Sequence, residues 1–197
     1  MERVLGVIFC GGKALRLGGL SKMNIEIGQQ TLMSHASMHL EAHVDTLALS
    51  IRAHTQLPET HDYDIIYDMQ DHSVAFGLLS ALKYAKENYY DAILTLPVDT
   101  PFLPKNYAIA LIQASQNSDC SYAIYDGHIH GLHSLWKTHA YGALENLINK
   151  NNIFKISCLY DKTSSTPYIF TDVNNSHFLN INTPETLALA RSIASQT

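Results

Sequence analysis

Short runs of apolar residues alternate along the chain with longer segments in which apolar residues recur every three or four positions. The short runs predict strands, and because several are apolar at consecutive positions, we expect those strands to be buried on both faces. They comprise residues 4–9, 46–51, 64–67, 92–96, 121–125 and 168–171. The longer segments predict helices over residues 31–43, 77–86, 106–116, 140–149 and 184–195.

The order of these elements predicts the fold class. Strands that alternate with helices form a mainly parallel sheet with helices on both faces, so we expect an α/β protein, a three-layer α/β/α sandwich. Residues 128–136 predict one further strand, which we expect to run antiparallel. Because no repeat, low-complexity tract or Pro/Gly-rich linker interrupts the pattern, residues 1–197 are predicted to form one domain.

Charge and cysteine content narrow the function classes. The formal net charge is −5, and the 13 basic residues form no cluster, which argues against a nucleic-acid surface. The three cysteines, Cys10, Cys120 and Cys158, lie far apart and predict reduced thiols. The apolar start of the chain is too short to span a membrane and lacks a signal-peptide cleavage region. We therefore expect a cytoplasmic protein with no membrane partner.

A glycine-rich loop directly follows the first predicted strand. The backbone N–H groups of Gly11 and Gly12 can approach a ligand closely because no side chain intervenes. Arg16 and Lys22 add positive charge, and the glycines at 18–19 let the chain fold back. The loop suits a triphosphate, although it matches neither the Walker motif nor the dinucleotide fingerprint. A long turn without a ligand is the alternative interpretation.

Two later segments carry polar residues to the same edge of the predicted sheet. Asp99 follows a buried strand and lies between Pro97 and Pro101, which presents a carboxylate suited to Mg2+. It could also simply cap the turn. Asn180 and Asn182 alternate in an extended segment, so both amides are predicted to face one ligand. Ligands of open parallel sheets bind at the carboxyl ends of the strands, where these segments lie.

Together the three segments resemble the molybdenum cofactor guanylyltransferases and, more broadly, the MobA-like nucleotidyltransferases, which have a Rossmann-like sheet. The matching stretches are GGKALRLGGLSK, PVDTPFLP and NINTPE. The resemblance implies transfer of GMP from GTP to the terminal phosphate of molybdopterin-bound molybdenum (Mo-molybdopterin), with release of pyrophosphate. It also implies Mg2+ as cofactor, GTP and molybdopterin as substrates, and molybdoenzymes or their chaperones as possible protein partners.

The same resemblance assigns roles to individual residues. It implies catalytic roles for Arg16, Lys22 and Asp99, with Asp99 as the metal ligand. On the pterin side it implies Asn180, Asn182 and His130. The residues implied to bind the nucleotide are Phe9, Cys10, Gly11, Gly12, Lys22, Ser50, Asp68 and Asp99.

Several positions depart from the family pattern. Ser21 precedes the lysine where the family has Asp, and Cys10 replaces Ala. Ser50 occurs where an Asn is usual, and Leu78 and Ala81 replace Pro and Gly in the segment that contacts the nucleotide. Two alternatives therefore stay open: a cytidylyltransferase or sugar- or alcohol-phosphate nucleotidyltransferase, and a non-catalytic nucleotide-binding homologue.

Eleven histidines raise the question of a metal site. They include two groups with close spacing, His35, His39 and His43, and His128, His130 and His133. Neither group contains the H-E-x-x-H motif, and neither is completed by a cysteine or carboxylate. We therefore interpret these histidines as solvated or as lying at the edge of the core.

Overall fold

A computed structural model describes residues 2–11, 21–52, 55, 63–68, 73–171 and 176–196. The strands are β1 (Val4–Phe9), β2 (Glu26–Ile27), β3 (Gln30–Thr31), β4 (Thr46–Ile51), β5 (Asp64–Tyr67), β6 (Ala92–Pro97), β7 (Cys120–Tyr125), β8 (His128–Lys137) and β9 (Ser165–Phe170). The α-helices are α1 (Leu32–Met38), α2 (Val74–Glu87), α3 (Tyr107–Ala114), α4 (Tyr141–Asn149), α5 (Ile156–Tyr160) and α6 (Pro184–Ala194).

Seven of the strands form one sheet in the order β5-β4-β1-β6-β8-β7-β9. The first four are parallel to one another, and β9 is parallel to β7. Only β8 runs antiparallel, to both β6 and β7, as the sequence predicted for residues 128–136. The mostly parallel α/β architecture is confirmed. Strand β1 lies in the interior of the sheet, and all six of its residues are buried, which explains the unbroken apolar run at 4–9.

Each face of the sheet is covered by its own hydrophobic core. One core contains residues of α1, α3 and α6, among them Leu32, Tyr107 and Ala190. The other contains residues of α2, α4 and α5, among them Leu144 and Leu159. Helices therefore cover both faces, and the predicted three-layer sandwich is confirmed. No described helix is both long and apolar enough to cross a bilayer.

The first helix is shorter than predicted. We expected a helix over residues 31–43, but α1 ends at Met38. Beyond it most backbone bonds join residues three apart, such as Leu40 N to Ser37 O at 2.9 Å and His43 N to Leu40 O at 2.8 Å, and one α-type bond joins Glu41 N to Ser37 O. The apolar periodicity continues through these tight turns, and an apolar face alone does not distinguish them from α-helix.

Elements too short to show a period were missed by the sequence analysis. These are α5, with five residues, and the two-stranded pair β2–β3. The last helix was easier to predict because its N-terminus has a clear signal. Thr183 accepts a hydrogen bond from Thr186 N, and Pro184 occupies the first turn. This cap fixes the direction in which the preceding segment, residues 180–182, enters the helix.

Candidate active site

Backbone hydrogen bonds continue the pairing of β1, β4 and β5 for one residue beyond the carboxyl ends of β1 and β5. Cys10 N donates to Ser50 O at 2.9 Å, and Asp68 N donates to Ile51 O at 2.9 Å. A cavity of about 360 Å3 opens at this edge, as expected for an open parallel sheet. Among its lining residues are six that the sequence assigned to the site: Phe9, Gly11, Asp68, Asp99, His130 and Asn180.

Lys22 lies between two side-chain oxygens at this edge. Its Nζ is 2.6 Å from Asp99 Oδ2 and 2.5 Å from Asn182 Oδ1. The side chains of Lys22 and Asp99 are 10 % and 17 % exposed, so water screens the ion pair less than it would on an open surface. Residues separated by 77 and 160 positions in sequence thus meet at one ammonium group.

The segment that carries the two asparagines lies alongside the loop after β6. Ile181 N donates to Asp99 O at 2.9 Å, and Phe178 N donates to Phe102 O at 3.0 Å. On either side of Ile181, Asn182 contacts Lys22 and Asn180 lines the cavity. Both amides therefore lie near Asp99, but they have different partners.

Asp68 is oriented by Ser50. The Ser50 hydroxyl donates to Asp68 Oδ1 at 2.8 Å, and Ser50 itself is 1 % exposed. Gly77 of α2 packs closely here, since an added Cβ would lie 3.0 Å from Asp68 Oδ1 and 3.1 Å from a ring carbon of Phe9. The helix can approach the carboxylate this closely only because residue 77 lacks a side chain.

Two side chains at this edge of the sheet, Cys10 and His130, have shifted pKa values. Burial raises the pKa of the Cys10 thiol far above its ordinary value, with smaller contributions from Asp68 and Asp99. Cys10 is therefore a protonated thiol and not a nucleophile. Burial also lowers the pKa of His130, and the nearby His128 lowers it further. The imidazole that faces the cavity is consequently neutral at pH 7.

The remaining predicted residues of the first loop, Gly12, Arg16 and the glycines at 18–19, lie outside the described residues. Among the cavity residues that the sequence analysis did not assign to the site is one cation. Arg52 follows β4 directly and lines the cavity, with Nε 3.8 Å from the position of a Cβ added at Gly11. Its position one residue beyond a strand at the ligand-binding edge was the available signal.

The oxygen atoms around Lys22 are also the candidate metal ligands. Asp99 offers a carboxylate and Asn182 an amide oxygen, both of which hard divalent cations prefer. Within the described part of the chain, no group of three or more His, Cys, Asp or Glu side chains could hold a metal ion. A cation at Asp99 would therefore have to obtain further oxygen ligands from phosphate and water.

Comparison with known proteins agrees with this architecture. Residues 6–162 match the MobA-like NTP transferase domain. A molybdenum cofactor guanylyltransferase from Cereibacter sphaeroides (strain ATCC 17029) is 28 % identical over 191 residues, which cover 97 % of each chain.

Two solved structures show the same fold. Molybdopterin-guanine dinucleotide biosynthesis protein A from Archaeoglobus fulgidus has a TM-score of 0.74 at 18 % identity, covering 98 % of this chain and 100 % of the other. A Mycobacterium tuberculosis H37Rv protein in complex with manganese has a TM-score of 0.67 at 11 % identity, covering 97 % and 99 %.

Proposed function

The chain belongs to the family of MobA-like NTP transferase domains, and from this premise we propose that it is a molybdenum cofactor guanylyltransferase. It transfers GMP from GTP to the terminal phosphate of molybdopterin that carries molybdenum, and it releases pyrophosphate. The observation that carries the proposal is the meeting of Lys22, Asp99 and Asn182 beside the cavity. The relative from Cereibacter sphaeroides, which matches over 97 % of each chain, supports the choice of reaction.

The donor set at Asp99 fits a magnesium ion. The Lys22 ammonium already draws Asp99 Oδ2 and Asn182 Oδ1 to within 2.6 Å and 2.5 Å of one positive charge. Mg2+ binds proteins through one or two carboxylates and takes its other ligands from phosphate and water. Asp99 would hold the ion, and Asn182 is the nearest second oxygen. When bound, Mg2+ supplies charge neutralisation at the phosphate oxygens.

Lys22 has the central role among the described residues. It is held by Asp99 and Asn182 at the cavity edge, where it stabilises the negative charge that develops as pyrophosphate leaves the α-phosphate. Arg16 and the amides of Gly11 and Gly12 bind the β- and γ-phosphates. The attacking group is itself a phosphate and needs no general base, so the chain acts chiefly by positioning and charge stabilisation.

The two substrates bind at different parts of the cavity. Asp68, oriented by Ser50, faces the nucleotide together with Phe9 and the backbone at Cys10. Asn180 and His130, which also line the cavity, face the pterin, and Asn182 acts through its contact with Lys22. A neutral His130 can donate to or accept from the polar edge of a pterin without adding charge. Transfer of the product to molybdoenzymes or their chaperones is a further prediction.

A pyrophosphate-release assay tests this function. GTP, Mg2+ and molybdopterin-bound molybdenum are supplied to the wild type, Lys22→Ala and Asp99→Ala. We expect turnover only in the wild type, because each variant loses one of the charges that stabilise the transition state. The same low background rate in all three proteins would contradict an enzymatic role and favour a non-catalytic nucleotide-binding protein.

Transfer of CMP is the second candidate, because Ser50 does not select guanine. The Ser50 hydroxyl is occupied by Asp68 and is shorter than the amide usual in the family, so the residue cannot read a base in the way that an asparagine does. Leu78 and Ala81 do not add a base contact, because both are buried in the core under the sheet. The assay with CTP in place of GTP distinguishes the candidates: faster release from CTP would support cytidylyl transfer.

A further inference from the structure

Two of the histidines that we interpreted from the sequence as solvated or as lying at the edge of the core contact the loop that carries Asp99. His39 follows α1, and its Nε2 lies 2.8 Å from Pro101 O. His133 is in β8, and its Nε2 lies 2.9 Å from Thr100 Oγ1. The two residues that follow Asp99 are therefore each bonded to an imidazole from a different element of the fold.

The direction of both hydrogen bonds follows from the partner atoms. A carbonyl oxygen only accepts, so His39 donates its Nε2–H to Pro101. We assign the single hydroxyl proton of Thr100 to Pro97 O at 3.1 Å, and with this assignment His133 donates its Nε2–H to Thr100 Oγ1. Burial lowers the pKa of both histidines, and each ring is neutral with its one proton on Nε2.

The His133 ring has little freedom to turn. It is 3 % exposed and lies edge-on to Tyr107, with ring centroids 5.8 Å apart. Phe178 packs against it at 5.0 Å. Aromatic side chains on two sides therefore fix the plane of the imidazole and the direction of its N–H. A rigid donor of this kind suits the support of a residue that must hold a ligand in one position.

We propose that His39 and His133 are positioning residues for the transferase reaction. By donating to Pro101 and Thr100 from two sides, they fix the loop so that the Asp99 carboxylate stays where Lys22 and the metal-bound nucleotide meet. The inference rests on the proposed function, because it requires a metal–nucleotide complex at Asp99. Both histidines act through the loop: His39 does not line the cavity, and His133, which does, uses its Nε2–H on Thr100.

Paired substitutions separate donation from packing. His133→Leu and His39→Leu remove the donor and keep an apolar side chain, whereas His133→Gln and His39→Gln keep an N–H donor at similar reach. Losing a residue that orients a metal ligand typically weakens metal binding by about 10-fold to 100-fold. We expect this loss in the Leu variants and near wild-type affinity in the Gln variants.

The measurement is a Mn2+ titration followed by electron paramagnetic resonance, with the full chain at saturating GTP. The matched control is Ser121→Ala. It removes a buried hydrogen bond of 2.6 Å from Ser121 Oγ to Leu111 O, and neither residue lines the cavity. It should lower the melting temperature without changing Mn2+ affinity. GTP binding without metal should be the same in all variants, since the histidines act on the metal ligand.

Each outcome decides a different point. If the wild type does not bind Mn2+ together with GTP, the proposed function fails and this inference fails with it. If the wild type binds and both Leu variants bind equally well, only the inference is overturned. Equal losses in the Leu and Gln variants would also overturn it, because packing and not donation would then be responsible.

A variant of Thr100, the partner of His133, tests the same hydrogen bond without changing the buried histidine. Thr100→Val is nearly isosteric and removes the acceptor of His133, so it should weaken Mn2+ binding as His133→Leu does. Wild-type affinity in a folded Thr100→Val protein would overturn the role of His133.

Discussion

Lys22 and Lys137 are both 9 % exposed, but they lie at opposite edges of the sheet and have different surroundings. Lys137 ends β8 and contacts Glu2 Oε1 at 2.5 Å, beside a cavity of about 500 Å3. Glu2 is 46 % exposed at its side chain, whereas Asp99 is 17 % exposed and is joined on Lys22 by Asn182. Neither a buried lysine nor a large cavity distinguishes the candidate active site. What distinguishes it is that one buried ammonium group is held by both a carboxylate and an amide oxygen, at the end of the sheet where the parallel strands terminate.

The largest expected difference between the two edges comes from removing each lysine charge. Lys22→Met should lower turnover by about 100-fold to 1000-fold, since it removes a group that stabilises charge in the transition state. Lys137→Met should leave turnover unchanged and lower the free energy of unfolding by up to about 1 kcal/mol, as for a partly exposed ion pair. Pyrophosphate release and chemical denaturation measure the two effects. Equal losses of turnover would remove the distinction between the edges.

The carboxylates at the two edges should differ in metal binding. Asp99→Asn keeps the shape of the side chain but removes the charge that holds the metal, so Mg2+-dependent GTP binding should weaken by about 10-fold or more. Asp119→Asn is the matched control at the far edge, where Asp119 pairs with His139 at 2.8 Å. Calorimetric titration of GTP at saturating Mg2+ measures both. Unchanged GTP affinity in Asp99→Asn would contradict its assignment as metal ligand.

A smaller effect is expected at Ser21, where the chain departs from its family. Ser21 makes no side-chain cap bond to the short helical turn that begins at Lys22. An aspartate there would add a carboxylate beside the lysine, and partly exposed pairs contribute up to about 1 kcal/mol. Ser21→Asp should therefore raise turnover by less than about 5-fold. No change would mean that Asp99 and Asn182 alone orient Lys22.

The buried histidine near the site predicts a pH dependence of stability. Burial lowers the pKa of His133 well below 6.5 in the folded protein, whereas in the unfolded chain the same histidine has a pKa of about 6.5. Below that pH the unfolded chain protonates this histidine and the folded protein does not. The free energy of unfolding therefore has its full value above about pH 6.5 and decreases as the pH falls towards the folded pKa. The melting temperature should fall less steeply with acidification in His133→Gln than in the wild type. Parallel curves would contradict a neutral, buried His133.

Several residues of the candidate site could be predicted, because the carboxyl ends of parallel strands lie at the same edge of a sheet. The apolar runs at 4–9 and 92–96 place Lys22 and Asp99 after neighbouring strands of one sheet, and the structure joins them. The cap at the start of α6 similarly indicates that residues 180–182 lie just before the helix. These features depend on local pattern and on the geometry common to parallel sheets.

Contacts across the sheet could not be predicted in the same way. The bond between His133 and Thr100 depends on the antiparallel register of β6 and β8, in which Thr95 pairs with Ser134. No periodicity in either segment specifies that register. Arg52 was missed for a related reason, because a single cation after a strand does not stand out until the cavity wall is assembled.

The nucleotide preference tests the central claim most directly. Thermal unfolding of the wild type is followed with ATP, GTP, CTP and UTP, each with Mg2+, because a ligand that binds only the native state raises its melting temperature. The account predicts that GTP gives the largest increase and that the increase is lost in Asp99→Asn. A larger increase with CTP, or none with any of the four nucleotides, would contradict it.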